Sequence, residues 1–147
     1  MSIVPFEPSY SDGFRSLVAD TLREFDFEPD LELDGDLDDP GAAYSALWVA
    51  VDGDDVVGSV ALRDLGGGVV ELKRMYLRPA QRGRGLGREL LALAIGWACS
   101  NGMTSVRLDT SERMVAAQRL YEAHGFERVE GGAPRQGQCR FVYELRL

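Results

Sequence analysis

The sequence predicts an α+β fold, a mixed and mainly antiparallel sheet of six to seven strands flanked by about four helices. Three observations carry that prediction. Phe14, Leu17, Val18, Leu22 and Phe25 recur at three- and four-residue spacing, as on one face of a helix. Residues 45–79 run instead as three β-rich segments separated by Asp-Gly and Gly-Gly-Gly turns. The remainder alternates helix, strand, helix and two strands. At 147 residues the chain can bury a substantial core as one domain, expected over residues 1–147, with no linker or internal repeat.

The elements follow in order. "IVPFEP" is a short strand candidate stopped by proline. Ser9 and Asp12 offer oxygens to the free amides of a helix start, in the manner of a capping box, and Phe14 to Phe25 form the helix. "EPDLELDGDLDDPG", residues 28–41, reads as a loop or a short, poorly packed helix; its "DGD" lacks the alternating ligands and closing Glu of a calcium loop. "ALWVAVDGDDVVGSVALRDL" makes two strands around a hairpin, and "VVELKRMYLRP" a third that ends at Pro79. The long apolar helix after residue 86 stops at Asn101-Gly102. "SVRLDT" is a strand, Thr110 or Ser111 is expected to cap the next helix, and Gly125 ends it. "FERVE" and "CRFVYELRL" supply the last strands around a turn in "GGAPRQGQ".

Composition excludes several classes. The longest apolar run, Leu90 to Cys99, is half of the ~20 residues that cross a bilayer, and "MSIVPFEPSYSDGF" has no signal-peptide pattern. No membrane association and a cytoplasmic location are therefore expected. Cys99 and Cys139 form no disulfide framework or metal motif and read as two reduced core thiols. The net charge of −8 disfavours nucleic acid, yet it is unevenly placed: residues 1–55 carry −13 and residues 56–147 carry +5. The acidic half is either a solvated surface or a wall that attracts a cationic partner.

One segment stands out against that acidity. "LRPAQRGRGLGRELLALAIGWA", residues 77–98, sets Arg82, Gly83, Arg84, Gly85, Gly87 and Arg88 at the mouth of the apolar helix. A strand end, a glycine-rich turn and a helix N-terminus together make a phosphate cradle, with free amides and the positive end of the helix dipole facing the anion. The glycines would let phosphate oxygens approach the backbone, and the arginines would add charge-assisted contacts. A tight turn with solvated arginines is the alternative. Walker A is excluded, because no GK[ST] follows.

"RGRGLG", Arg82 to Gly87, resembles the [QR]xxGx[GA] motif of the GNAT N-acetyltransferases, and "AAQRLYEAHGFE", Ala116 to Glu127, resembles their "AxxLYxxxGF" segment. The two occur in that family's order and separation. The resemblance implies the GNAT fold and an acetyl-CoA diphosphate held at Arg82, Gly83, Arg84, Gly85, Leu86, Gly87 and Arg88. It further implies pantetheine paired with the main chain of Met75, Tyr76 and Leu77, an amide near Leu77 facing the oxyanion, and direct attack by a primary amine in a ternary complex. Tyr121 matches the tyrosine that protonates the departing thiolate; packing of its ring is the competing role. Glu71 stands where some members carry a general base; binding or orienting the substrate, or facing solvent, are its alternatives. Met114 departs from the asparagine that many members have there, and His124 reads as a surface residue.

The resemblance places the acceptor pocket against the first helix, the following loop and the C-terminal strands. The first two belong to the acidic half, so the expected acceptor is a cationic small-molecule or peptide amine. A longer acyl-CoA donor and a non-catalytic CoA-binding module would keep the same motifs. A monomer, or a homodimer paired through the apolar C-terminal strand as a sheet edge, is expected.

Overall fold

The computed structural model describes residues 1–147. Strand β1 (Ser2–Pro5), helix α1 (Ser11–Glu24) and the four-residue helix α2 (Pro40–Ala43) precede the meander β2 (Ala46–Asp52), β3 (Asp55–Gly66) and β4 (Val69–Leu77). Helix α3 (Leu86–Ser100), β5 (Ser105–Ser111), α4 (Val115–Ala123), β6 (Glu127–Arg135) and β7 (Gln138–Arg146) complete the chain. The seven strands form one sheet in the order β1-β2-β3-β4-β5-β7-β6. Every pair is antiparallel except β4 with β5, whose connection runs through α3.

Alternating side chains divide the core between the two faces of the sheet. Phe14, Leu17, Val18 and Leu22 of α1 pack against Leu47, Val49, Val56 and Ala61 on one face. Leu86, Leu90, Leu91, Ala94 and Ala98 of α3 pack on the other against Val60, Leu62, Val70, Leu72 and Val106, where Tyr121 and Phe126 join them.

Several expectations are corrected. The α1 start carries no side-chain cap, because Ser9 is drawn into a 3-10 turn and the helix begins at Ser11 behind Tyr10. Thr110 and Ser111 remain in β5, and α4 starts at Val115 without a side-chain cap. Ser111 Oγ is committed elsewhere: it donates to Gln138 Oε1 at 2.5 Å and accepts from the Arg113 N–H. "GGAP" is strand rather than turn, with a register shift between Gly132 and Arg135 that accommodates Pro134; only Gln136-Gly137 make the turn. The C-terminal strand β7 lies inside the sheet, so the edges are β1 and β6. Cys99 and Cys139 are exposed, since α3 buries a stripe through Leu91, Ala94 and Ala98 that leaves Cys99 outside.

One residue breaks the β4 pattern. Arg74 adopts φ +50, and the β3–β4 register slips opposite it. The bulge redirects the strand: Leu72 faces α3, Arg74 reaches across to the loop after α1, Tyr76 packs toward α1, and Met75 and Leu77 approach α3 at Gly87. The guanidinium is buried and donates to Asp34 at 2.9 Å and to Asp36 at 2.9 and 2.8 Å. Arg135 adds a second pair of bonds to Asp34, and Tyr44 donates to Asp36. Burial by itself would raise the Asp34 carboxyl, but hydrogen bonds from Arg135, the Asp30 N–H and Arg74 outweigh it and hold the group at about 2.

A folded value below the unfolded 3.8 means that the native state binds fewer protons, so this stabilisation is present above about pH 4 and disappears as the pH falls through 2. Urea unfolding should therefore show stability declining over that window. Arg74→Met, which removes three charge-assisted bonds and leaves Asp34 to Arg135 and Asp36 to Tyr44, should lose about 3–5 kcal/mol at pH 7. Unfolding midpoints of the variant matching wild type would disprove the network's role.

Candidate active site

The parallel pairing of β4 and β5 ends early: it joins Val69 to Ser105, Val70 to Val106 and Glu71 to Arg107, and goes no further. Residues 72–77 of β4 consequently have no partner on their β5 side. The Arg78 N–H bonds the Val57 carbonyl on β3 at 2.8 Å, so by the alternation of an antiparallel ladder the main-chain groups of Leu77 turn away from β3 into the gap. A cleft of about 780 Å³ opens there, lined by Met75, Tyr76 and Leu77, by the glycine-arginine loop, by Glu24 and Phe25 at the end of α1, and by Met114 to Ala117, Leu120 and Tyr121 at α4.

The loop crosses one end of this cleft. Gly83 and Gly85 take φ +76 and +86, the left-handed region that a side chain disfavours. Gly87 serves a different purpose: a Cβ there would stand 3.3 Å from Leu120 Cδ2, so its absence lets α3 approach α4. The N–H groups of Gly83, Arg84 and Gly85 donate to no protein acceptor. The first bond of α3 runs from the Glu89 N–H to the Gly85 carbonyl, which leaves Leu86, Gly87 and Arg88 as the orphan donors of a helix N-terminus. Six consecutive amides are thus free beside the cleft.

The arginines divide their labour. Arg84 and Arg88 are exposed, line the cleft and hold no ion pair or hydrogen bond. Arg82, expected to reach the phosphates, is instead tied down: it donates to the Leu77 carbonyl at 3.1 and 2.9 Å and to Glu24 at 2.5 and 2.8 Å. That clamp binds the loop to the end of α1 and occupies the Leu77 carbonyl, leaving the Leu77 N–H as that residue's group toward the gap.

Tyr121 is buried on α4 between Phe126 and Tyr143, with ring centroids 5.7 and 6.2 Å away, and it lines the cleft. Its hydroxyl makes no protein hydrogen bond. Burial, and then the negative potential of Tyr76 and Asp109, pushes the phenol well above its ordinary range, so it stays protonated. Met114 fills the position of the missing asparagine and accepts a weak bond from Thr110 at 3.6 Å. His124 caps α4, half-buried, its Nδ1 2.9 Å from the Leu120 carbonyl and away from the cleft lining.

Glu71 lies at the paired end of β4 and lines neither this cleft nor its neighbour. Its carboxylate accepts from Arg63 at 2.6 Å, with Lys73 Nζ at 4.0 Å. Across Tyr76 lies a second cavity of about 250 Å³, roofed by the β6–β7 hairpin. Gln136, Gln138 and Arg135 bond that hairpin to the backbone of Phe25 and Glu28. Lys73, Arg74, Arg135, Arg140 and Asp109 are its charged lining. Sequence reasoning missed these residues, for the reason that they come from β4, β5 and the hairpin and carry no motif. The acidic segment contributes differently from what was expected, since Asp34 and Asp36 turn inward onto Arg74.

With the fold and cleft in view, similarity to known proteins is informative. Residues 11–126 match the Acetyltransferase (GNAT) family. An uncharacterised N-acetyltransferase of Schizosaccharomyces pombe is 35% identical over 130 residues, 84% of this chain and 80% of the relative. A GNAT-family acetyltransferase structure from Staphylococcus aureus superposes with a TM-score of 0.90 at 21% identity, covering 99% of this chain and 98% of that one. An acetyltransferase from Salmonella typhimurium, solved with acetyl-CoA, gives a TM-score of 0.79 at 18% identity over 99% and 93% of the two chains. The free-amide loop, the parted strands and this similarity agree: the chain belongs to the GNAT family of acetyltransferases.

Proposed function

We propose that this protein transfers the acetyl group of acetyl-CoA to a primary amine in a ternary complex, with the donor in the larger cleft and the acceptor in the smaller. The observation that carries the reading is the run of six unpartnered amides from Gly83 to Arg88 at the N-terminus of α3. Such a run fits a diphosphate, whose oxygens accept from successive N–H groups at the positive end of a helix. Arg84 and Arg88 add mobile positive charge at its rim. The flank of β4 that β5 leaves uncovered, where Met75 and Leu77 turn their main chain away from β3, fits the amide-bearing pantetheine arm along Met75, Tyr76 and Leu77, and the Leu77 N–H is the donor offered to a developing oxyanion.

Acetyl-CoA supplies an activated thioester, whose carbonyl carbon accepts the amine lone pair and whose C–S bond then breaks. Tyr121 would donate its phenolic proton to the departing sulfur; its raised pKa leaves the proton available at neutral pH. The acceptor must lose a proton, because an alkylammonium of pKa ~10.4 has no lone pair to offer. Two carboxylates are the candidates to take it. Asp109 lines the cavity and adds to the potential around Tyr121, so first contact with the amine falls to it. Glu71 shares a β4 face with Lys73, which lines that cavity, and would take the proton through water rather than directly.

Three outcomes are expected. Arg84→Gln and Arg88→Gln should each raise the CoA Kd about tenfold, worth ~1.4 kcal/mol, in calorimetry at fixed ionic strength, with weaker dependence on added salt. Tyr121→Phe should lower kcat by about 10²–10⁴ and leave the KM for acetyl-CoA near wild type; an unchanged kcat would make the ring a packing element alone. Asp109→Asn should lower kcat/KM for the acceptor about 10²-fold and Glu71→Gln about tenfold. A wild-type kcat/KM in Glu71→Gln removes Glu71 from the reaction.

A further inference from the structure

The smaller cavity has a charge pattern that a plain amine does not explain. Arg140 is nearly buried on β7, with 16% of its side chain exposed, yet its guanidinium donates no hydrogen bond to any protein group. Its single carboxylate contact is Asp109 Oδ1 at 3.3 Å, outside hydrogen-bond alignment. The Lys73 side chain is 28% exposed, and its Nζ has only Glu71 at 4.0 Å and likewise makes no hydrogen bond. Arg135 spends both terminal nitrogens on Asp34 and the Glu28 carbonyl, and its Nε is the one buried side-chain nitrogen or oxygen in the molecule without a partner.

No nitrogen of Arg140 or Lys73 is fully buried, so their free donors stay accessible from the cavity that both line. Here the balancing carboxylates are either behind the wall, as Asp34 and Asp36 are under Arg74, or single, as Asp109 is. A ligand entering this space meets the eight N–H donors of Arg140 and Lys73, none of them used within the protein, with Asp109 the sole carboxylate of the lining.

We infer that the acceptor carries a carboxylate close to its amine, as an α-amino acid or short peptide does. The carboxylate sits on Arg140 and Lys73, and the amine lies on Asp109, on the side of Tyr76 that borders the donor cleft. The adjacent Arg140–Asp109 pair is complementary to a zwitterion of that size. This inference rests on the transferase reading above and narrows its acceptor to a zwitterion, in place of the plain cation that the acidic N-terminal half suggests.

The test is thiol release from saturating acetyl-CoA with matched acceptors: amino acids against their carboxamides, alanine and alaninamide first, with spermidine as the cationic comparator. The carboxamide has the less basic amine, so a preference for the free acid reports charge recognition rather than reactivity. The free acid should be preferred at least tenfold in kcat/KM, and Arg140→Gln and Lys73→Met should each bring that ratio toward one. Lys73→Met breaks no hydrogen bond of the fold, so it remains informative if Arg140→Gln unfolds. Equal or better turnover of carboxamides or spermidine, an unchanged ratio in both variants, or no turnover by any acceptor while CoA still binds would overturn the inference and leave the donor site standing. Failure to bind CoA in calorimetry would overturn the transferase reading itself, and this inference with it.

Discussion

The fold turns on a pairing that stops short. Past Glu71 and Arg107 the strands β4 and β5 part, and a sheet interior that parts leaves main-chain donors and acceptors facing a gap. Buried backbone groups without partners are costly, so the gap holds only because rigid elements brace both sides. On one side the Arg74 bulge directs Tyr76 and the Met75–Leu77 pair to opposite faces, and the buried bonds to Asp34 and Asp36 lock it. On the other, Ser111 and Gln138 bind β5 to the hairpin that closes the second cavity. The amides at the start of α3 extend the same line of unused donors, and the two cavities meet at Tyr76 where the line ends.

Charge is spent in two ways within this acidic chain. Arg74, Arg82 and Arg135 are structural: each grips carboxylates from the segment between Glu24 and Asp36 and pulls that segment onto the sheet. The pairings take Glu24, Asp34 and Asp36 out of what looks in the sequence like an acidic wall. Arg84, Arg88, Lys73 and Arg140 keep their donors free, the first two at the large cleft and the others at the small one. A net charge of −8 thus conceals two cavities whose linings hold cations with free donors.

Most of the architecture was legible because it is written in local patterns. The Phe14 to Leu22 stripe, the Asp-Gly hairpin, and the glycines before and after the helices each act within a few residues. The glycine-rich turn before α3 was legible too, and its glycines also supply left-handed backbone at Gly83 and Gly85 and helix contact at Gly87. What escaped depends on distance along the chain. Arg74 meets Asp34 and Asp36 across some forty residues, and Arg135 reaches Asp34 across 101. Nothing in "LKRMY" marks the third residue as a bulge. The burial of Cys99 could not be judged either, because an Ala- and Gly-rich helix leaves the limits of its apolar stripe undefined.

The central claim is that main-chain N–H groups from Gly83 to Arg88 bind a diphosphate. Amide NMR of the intact chain titrated with coenzyme A, followed by hydrogen exchange of the saturated complex, addresses those groups one by one. The account predicts large shifts and slowed exchange concentrated at Gly83, Arg84, Gly85, Leu86, Gly87 and Arg88. Saturation that leaves those six amides unshifted and freely exchanging would contradict it.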